Sequence, residues 1–286
     1  MKSLRYFLEF LAILILFFIF KIIGIKFSSY IGEKIGLLFG PLFRSKKLIE
    51  SNILKAYPNI KSFEIKTIVK QMWSNYGKIL AEYMFIKNFR ENFFKKKIKI
   101  NGQEVLEAIQ KNKEPVIFVS GHFNNFELLA MCIDKFNIPL TTIYRPLNNM
   151  FTNIIMESIR KKYICKNQIK KGKSGIKESL LFFKKGFSIA LMIDQRVSEG
   201  IKSNFFGKEA HTTTVPAQFV KKFNCKIVPM HIERKEKNNF EINIYEPIQY
   251  SKEKTIEDIT KDLNLWLEKM ILKNPSQWIW THNRWK

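Results

Sequence analysis

Residues 115–127 read Pro-Val-Ile-Phe-Val-Ser-Gly-His-Phe-Asn-Asn-Phe-Glu. The short apolar run that ends at Ser120 is typical of a fully buried strand. Gly121 and the two asparagines indicate a turn, and the apolar residues after Glu127 favour a helix. The stretch therefore predicts a buried strand that ends at a turn carrying His122, followed at once by a helix.

Strand-like and helix-like segments alternate along the chain from about residue 96. The predicted strands are Ile98–Asn101, Pro115–Ser120, Pro139–Tyr144, Ser188–Ile193, Lys226–Ile232 and Glu241–Tyr245. The predicted helices are Glu104–Asn112, Phe126–Phe136, Met150–Tyr163, Gly175–Lys184, Val215–Phe223 and Ile256–Leu272, and residues 46–87 also have helical spacing. This order predicts an α/β fold with a mainly parallel central sheet flanked by helices.

An apolar segment precedes that domain. Eleven apolar residues run from Phe10 to Phe20, and the stretch extends from about Tyr6 to Ile25 if two charged flanking residues are allowed, close to the ~20 residues of a spanning helix. We expect an uncleaved membrane-anchor helix in residues 1–27. A helical lead-in (28–95) and an α/β core (96–286) would follow, together forming one catalytic domain. Both flanks are basic, so the orientation and the choice between spanning and one-leaflet insertion stay open.

The composition limits the kinds of molecule that the protein is expected to bind. Lys and Arg number 49 against 25 Asp and Glu, a formal net charge of +24 that predicts attraction to an acidic partner. Few of these cations are arginines, which disfavours nucleic acid. The three cysteines form no CxxC, and the four histidines lack metal-ligand spacing. We expect no metal, no cofactor and no nucleic acid.

His122 and Glu127 are the candidate catalytic pair. Five positions on a regular helix turn through about 500°, so the two side chains meet only if His122 precedes the helix. Glu127 would then accept a hydrogen bond from one ring nitrogen, and the other nitrogen would take a proton from an alcohol. This is the base-and-partner arrangement of nucleophilic acyl transfer.

Other polar residues follow predicted strands, where α/β sheets collect their ligands. Arg145 could grip a phosphate or a carboxylate, and Asp194 and Gln195 follow the strand at 188–193. Thr213 lies in a predicted loop, residues 205–214. We expect these four residues and Asn125 to bind substrate. The alternatives are a structural ion pair for Arg145 and Asp194, and a helix cap for Thr213.

Taken together these segments resemble the late acyltransferases of lipid A biosynthesis, the lauroyl/myristoyl transferases within the lysophospholipid acyltransferase superfamily. The likeness runs nearly end to end. Besides the N-terminal anchor, it is carried by Gly121-His122-Phe-Asn-Asn-Phe-Glu127, Tyr144-Arg145-Pro146, Asp194-Gln195, Phe205-Phe206-Gly207, Ala210-His211-Thr212-Thr213-Thr214 and Pro275-Ser-Gln-Trp278-Ile-Trp280-Thr-His282-Asn-Arg284-Trp285.

The resemblance implies that His122 is a general base, that Glu127 is its partner, and that Arg145 and Asp194 line the active-site cleft. It also implies an acyl-carrier-protein (ACP) donor and a lipid A precursor as acceptor, at the cytoplasmic face of a bacterial inner membrane. The acyltransferases of glycerophospholipids, the nearest alternative, carry a Phe-Pro-Glu-Gly stretch that this chain lacks. Other glycolipid acyltransferases, a lipid hydrolase and a non-catalytic membrane-surface protein also remain open.

Overall fold

A computed structural model describes residues 2–95, 97–236 and 239–286. The helices are α1 (Lys2–Phe43), α2 (Lys46–Ala56), α3 (Ser62–Glu82), α4 (Ile86–Glu91), α5 (Gln103–Asn112), α6 (Glu127–Lys135), α7 (Met150–Tyr163), α8 (Lys173–Lys184), α9 (Val215–Phe223) and α10 (Ile256–Lys273). The strands are β1 (Ile98–Asn101), β2 (Ile117–Ser120), β3 (Leu140–Tyr144), β4 (Asn167–Lys170), β5 (Ser188–Met192), β6 (Ile201–Phe205), β7 (Lys208–Thr212), β8 (Ile227–Arg234) and β9 (Phe240–Ile244).

Seven strands form one sheet in the order β1-β9-β8-β2-β5-β3-β4. The strands from β8 to β4 are mutually parallel, whereas β9 runs antiparallel to β8 and is parallel to β1. The prediction of an α/β fold with a mainly parallel sheet is confirmed. β2 lies between β8 and β5 and is buried along its whole length. The turn that follows β2 therefore lies at the middle of the sheet edge, beside the carboxyl end of β5.

The six predicted strands and six predicted helices of the core are all present, with ends shifted by no more than about two residues. Three strands were not predicted. β4 is a short edge strand of mostly polar sequence, and β6 with β7 forms a separate antiparallel hairpin. The hairpin replaces the loop predicted at 205–214. Its tight turn places Phe206 and Gly207 at positive φ (53° and 70°), as two-residue hairpin turns require.

α1 is two helical segments joined at a kink. Gly24 has φ 76°, a left-handed conformation that glycine adopts without steric cost. The kink leaves carbonyl groups without helical partners, and the Ser28 hydroxyl donates to Phe20 O and Gly24 O, both at 2.8 Å. The segments before and after the kink, residues 2–23 and 25–43, are therefore two separate helices.

Most of the apolar surface of α1 is not covered by the rest of the chain. Within the described residues, α1 is the one helix that is long and apolar enough to cross a membrane, judged by length and composition. Only 11% of its most apolar 18-residue stretch is buried against the rest of the protein. That fraction is inconsistent with a core helix. The exposed apolar side chains include Leu4, Leu8, Ile15, Phe18, Ile22, Phe27, Leu38, Leu42 and Phe43.

The second segment of α1 packs closely on α3 through glycines. A Cβ added at Gly36 would lie 2.2 Å from Trp73 O, and one at Gly77 would lie 1.8 Å from Gly32 O. Small residues at four-residue spacing allow two helix backbones to approach in this way. The interface holds α3 in position, and α3 forms one wall of the cleft beside His122.

Candidate active site

His122 is held by Asp194 at the carboxyl end of the sheet. His122 follows β2 and Asp194 follows the neighbouring strand β5, so their backbones leave the sheet side by side. The His122 Nδ1 atom lies 2.7 Å from Asp194 Oδ1, and the His122 backbone N–H donates to Asp194 Oδ2 at 2.7 Å. The Trp278 indole also donates to Oδ2, at 2.9 Å. A carboxylate on Nδ1 fixes the tautomer with the proton on Nδ1 and a lone pair on Nε2.

The charge of Asp194 is stabilised by these contacts. Its side chain is fully buried, and burial alone would raise the pKa of the carboxyl group. The positive charge that His122 can carry and the hydrogen bonds from His122 and Trp278 outweigh burial and lower that pKa below its ordinary value. Asp194 is therefore a carboxylate at neutral pH and can stabilise an imidazolium at His122.

The backbone of residues 121–125 sets the direction of His122. A Cβ on Gly121 would lie 2.8 Å from the Phe123 ring and 3.3 Å from Asp194 Oδ2, so this position has no room for a larger residue. Asn124 has φ 39°, and its N–H donates to Gln277 O at 2.8 Å. The Phe126 ring packs edge-on against the imidazole at 4.8 Å. The loop is thus fixed by sterics and by hydrogen bonds to the chain terminus.

A narrow cleft opens beside His122, whose side chain is 20% exposed. One wall is α3, which presents Met72, Tyr76 and Ile79, and the other is the loop from His122 to Phe126 and the segment 276–279. Its lining is predominantly apolar. The site therefore combines a carboxylate-held imidazole with a narrow, mostly apolar cleft, an arrangement suited to a substrate that carries a hydrocarbon chain.

The predicted contact between His122 and Glu127 is wrong, because Glu127 points to the other side of the loop. Arg160 on α7 donates to Glu127 through Nε at 2.9 Å and also through its terminal nitrogen, and both side chains are largely buried. The positive φ of Asn124 directs His122 toward β5, whereas Glu127 begins α6 and faces α7. Asp194 takes the place predicted for Glu127.

If Glu127 acts through Arg160, the variants Glu127→Gln and Arg160→Gln should lose acyl transfer to the same degree. The double variant should lose no more than either, because both single changes break the same buried pair. Initial rates of the three purified variants, with thermal unfolding as the stability measurement, check this. Loss of transfer in Glu127→Gln combined with near-normal transfer in Arg160→Gln would show instead that Glu127 acts on His122.

Gln195 lies at the active site, and Asn125 lies beneath it. Gln195 Nε2 is 3.5 Å from His122 Nε2, at the edge of hydrogen-bonding distance. Asn125 is buried, and its amide donates to Glu82 Oε2 at 3.0 Å. Asn125 therefore supports the loop from beneath, and its contact with substrate stays a prediction.

Arg145 is exposed to solvent, whereas the hydroxyl of Thr213 makes a hydrogen bond within the protein. Arg145 follows β3 and is exposed at the same sheet edge as His122. Partial burial, and next the positive charge of Arg145, lower the pKa of Lys171, which follows β4, so two cations lie near each other there. Thr213 Oγ1 accepts a hydrogen bond from Val215 N at 3.3 Å at the start of α9. The N-cap residue of α9 is Thr214, whose side chain makes no capping hydrogen bond, and the contact of Thr213 with substrate stays a prediction.

The chain terminus contributes residues whose roles the sequence did not reveal. Trp278 binds Asp194, and His282 Nε2 accepts from Arg196 N at 2.9 Å. Arg284 is fully buried and donates to His211 O at 2.6 Å and to Thr212 Oγ1 at 2.7 Å. Burial lowers the pKa of Arg284 to about 10 and that of His282 to about 4. The aromatic residues of this segment were visible in the sequence, but their contacts are long-range.

A buried histidine behind the site predicts sensitivity to acid. His231 packs edge-on against Phe123 at 4.6 Å and is 1% exposed, and burial lowers its pKa to about 4. A folded-state pKa below the unfolded value of about 6.5 means that the unfolded chain binds more protons, so stability falls as the pH drops from 6.5 toward 4. At pH 5 this costs about 2 kcal/mol for His231.

Thermal unfolding at pH 7 and pH 5 measures the effect. His231→Gln, which cannot titrate in this range, should lose about 2 kcal/mol less than the wild-type protein between these pH values. His282 contributes to the acid loss with the same sign and remains in both proteins. An identical pH dependence of the two proteins would show that His231 is not buried in its neutral form.

Comparison with known proteins identifies the class of enzyme. The family model for bacterial lipid A biosynthesis acyltransferases matches residues 1–286, the whole chain. The chain belongs to this family. The lipid A biosynthesis palmitoleoyltransferase of Escherichia coli (strain K12) is 21% identical over 267 residues, which cover 90% of this chain and 84% of that protein. A lipid A biosynthesis acyltransferase of Haemophilus influenzae is 22% identical over 263 residues, covering 90% and 83%.

The protein is therefore an acyltransferase of lipid A biosynthesis, as the motifs predicted. Membership of this family excludes the hypothesis that the chain is a non-catalytic membrane-surface protein. At about one-fifth identity to these relatives, individual residue roles do not follow from the family alone.

Proposed function

We propose that this acyltransferase moves a fatty acyl group from an ACP thioester to a hydroxyl of a lipid A precursor, with His122 as general base. The observation that carries the proposal is the hydrogen bond between His122 Nδ1 and the buried Asp194, which leaves a lone pair on Nε2 of a residue that lines the cleft. Asp194 is the partner of His122 in this proposal. Glu127, paired with Arg160, is a positioning residue.

The reaction needs one proton carrier. His122 Nε2 takes the proton of the acceptor hydroxyl as its oxygen forms a bond to the thioester carbonyl carbon. The imidazolium that results is stabilised by Asp194. When the tetrahedral intermediate collapses, the C–S bond breaks, the thiolate leaves, and His122 returns its proton to the sulfur. The products are the ester and the free thiol of the carrier.

The developing oxyanion needs hydrogen-bond donors. The backbone N–H groups of residues 122–125 are already bound to Asp194, Gly121 O, Gln277 O and Asn124 Oδ1, respectively. Gln195 Nε2, 3.5 Å from His122 Nε2, is a side-chain donor at the right place. Arg145, exposed at the same sheet edge, is suited to bind an anionic group of the substrate with its planar fork.

The charge of the protein supports an acidic donor. A formal net charge of +24 attracts an acidic partner, and ACP is an acidic protein, so the charge favours ACP as the carrier of the acyl group.

We infer that α1 holds the cleft at the cytoplasmic face of the inner membrane and lies within one leaflet. Both segments of α1 contact the catalytic domain: Asn149 Nδ2 donates to Tyr6 O at 2.8 Å and Phe7 packs on Phe151 at 5.6 Å, while Gly36 packs on α3. A helix that crossed the ~30 Å hydrocarbon core would carry one end away from that domain.

Labelling of an introduced cysteine distinguishes the two insertions, since the native cysteines are buried. With Ser3→Cys, a membrane-impermeant thiol reagent should react in lysed but not in intact spheroplasts if both ends of α1 are cytoplasmic. Labelling of intact spheroplasts would show that α1 spans the membrane.

The proposed reaction is tested by product mass. The purified protein in detergent micelles receives acyl-ACP with either a lipid A precursor or a lysophosphatidic acid, and a parallel reaction contains acyl-CoA of the same chain length. We expect the mass of the precursor plus one fatty acid minus one water, formed fastest from acyl-ACP. Acylated lysophosphatidic acid would favour the glycerophospholipid alternative. Free fatty acid alone would identify a hydrolase.

A further inference from the structure

A second cavity lies where the end of α1 meets α2 and α3. Its volume is about 280 Å³, and its apolar lining consists of Leu37, Pro41, Ile49, Val69 and Trp73. This volume is close to the lower end of the range for small-molecule pockets. The cavity is larger than the accessible space of the cleft beside His122, which is about 60 Å³.

The cavity and the active-site cleft use different faces of α3. Residues 66, 69, 70 and 73 line the cavity, whereas residues 72, 75, 76 and 79 line the cleft. The two sets have the same helical spacing, offset by six positions, which places them about 120° apart around the helix and about 9 Å apart along it. The ring of Trp73 contacts that of Tyr76 at 5.6 Å, so this aromatic pair separates the two spaces.

The mouth of the cavity is basic. Arg44, Lys46, Lys66 and Lys70 line it together with a single carboxylate, Glu50, which lies 3.7 Å from Lys46 Nζ. Among the residues that the structure describes, no carboxylate is within ion-pairing distance of the other three cations. Three positive charges beside an apolar cavity complement a ligand with an anionic head and a hydrocarbon tail.

The cavity adjoins the surface that faces lipid. The last turns of α1 expose Leu38, Phe39, Leu42 and Phe43, which lie directly before or between cavity residues in sequence. Cations immediately beside an apolar membrane-facing helix bind the headgroups of anionic lipids. A lipid can therefore reach the cavity from the bilayer without passing the active site.

We propose that this cavity is a binding site for an anionic glycerophospholipid, which inserts acyl-chain carbons between α1, α2 and α3 while its phosphate binds Arg44, Lys66 and Lys70. The bound lipid is a structural ligand of the membrane-docked enzyme and is neither acyl donor nor acceptor. This inference does not depend on the proposed roles of His122 and Asp194.

Fluorescence quenching of Trp73 tests the site in the full-length protein. Phosphatidylglycerol with brominated acyl chains, titrated into detergent micelles, should quench a component of the tryptophan emission that is absent in Trp73→Phe. Brominated phosphatidylcholine, which has no net charge, should quench it much less. In Lys66→Gln/Lys70→Gln, half-quenching should need roughly 30-fold more phosphatidylglycerol, at about 5-fold per cation.

Two further variants complete the test. Lys177→Gln/Lys184→Gln, on the exposed face of α8, removes the same charge elsewhere and should quench as the wild-type protein does. Val69→Phe fills the cavity without a change of charge and should abolish quenching, so it also carries the test if the lysine variant unfolds. Equal quenching by both lipids, or quenching of Val69→Phe at the wild-type lipid concentration, would overturn the proposal.

Discussion

Asp194→Asn is expected to lower kcat by roughly 10³- to 10⁴-fold with little change in stability. The asparagine carbonyl can keep both contacts of Asp194 Oδ2, those from His122 N and the Trp278 indole. Its NH₂ group then faces His122 Nδ1, which must accept instead of donate. The proton moves to Nε2, so the nitrogen that faces the cleft can no longer act as a base.

Single-turnover transfer from acyl-ACP measures this loss, and thermal unfolding shows that the variant is folded. Asp262→Asn makes the same chemical change at a partly exposed position of α10, 3.4 Å from Lys254, and should retain wild-type transfer. A rate for Asp194→Asn within a factor of about ten of wild type would mean that Asp194 does not set the tautomer of His122.

Arg234→Met is expected to lower the free energy of unfolding by about 3–5 kcal/mol. Arg234 donates to both carboxylate oxygens of Glu82, which is fully buried, and Asn125 donates to the same carboxylate. Removing the guanidinium leaves a buried carboxylate charge without its counter-ion. The loop that carries His122 rests on this network, so the variant should also lose activity at temperatures where the wild-type protein is stable.

Chemical denaturation in detergent measures the change. Adding Glu82→Gln to Arg234→Met should recover much of the loss, because the uncompensated charge is then gone. Arg5→Met breaks the exposed pair between Arg5 and Glu9 and should change stability little. A stability of Arg234→Met equal to that of Arg5→Met would contradict the assignment of a buried ion pair.

The sequence predicted those parts of the fold that local pattern controls. Apolar runs such as 117–120 and 188–192 identify buried strands because both faces of a central parallel strand are covered. β4 was missed because an edge strand of sequence Asn-Gln-Ile-Lys lacks that pattern. The hairpin of β6 and β7 was missed because its polar residues resemble those of a loop.

The sequence predicted where His122 lies in the fold but not which carboxylate it contacts. Gly121 and the asparagines showed that His122 sits in a turn after a strand, and that is where it lies. The order of strands in the sheet depends on contacts between distant segments. Residue spacing therefore could not show that β2 and β5 are adjacent, nor that His122 contacts Asp194. The same limit hid Arg160 as the partner of Glu127 and Trp278 as a donor to Asp194.

The most direct test of the central claim, that His122 and Asp194 act as one unit in acyl transfer, is a double-mutant cycle. Single-turnover rates from acyl-ACP to a lipid A precursor would be compared for His122→Ala, Asp194→Ala and the double variant. If Asp194 acts only through His122, the double variant should be no slower than His122→Ala alone. Losses that multiply, or near-wild-type transfer by His122→Ala, would contradict the account.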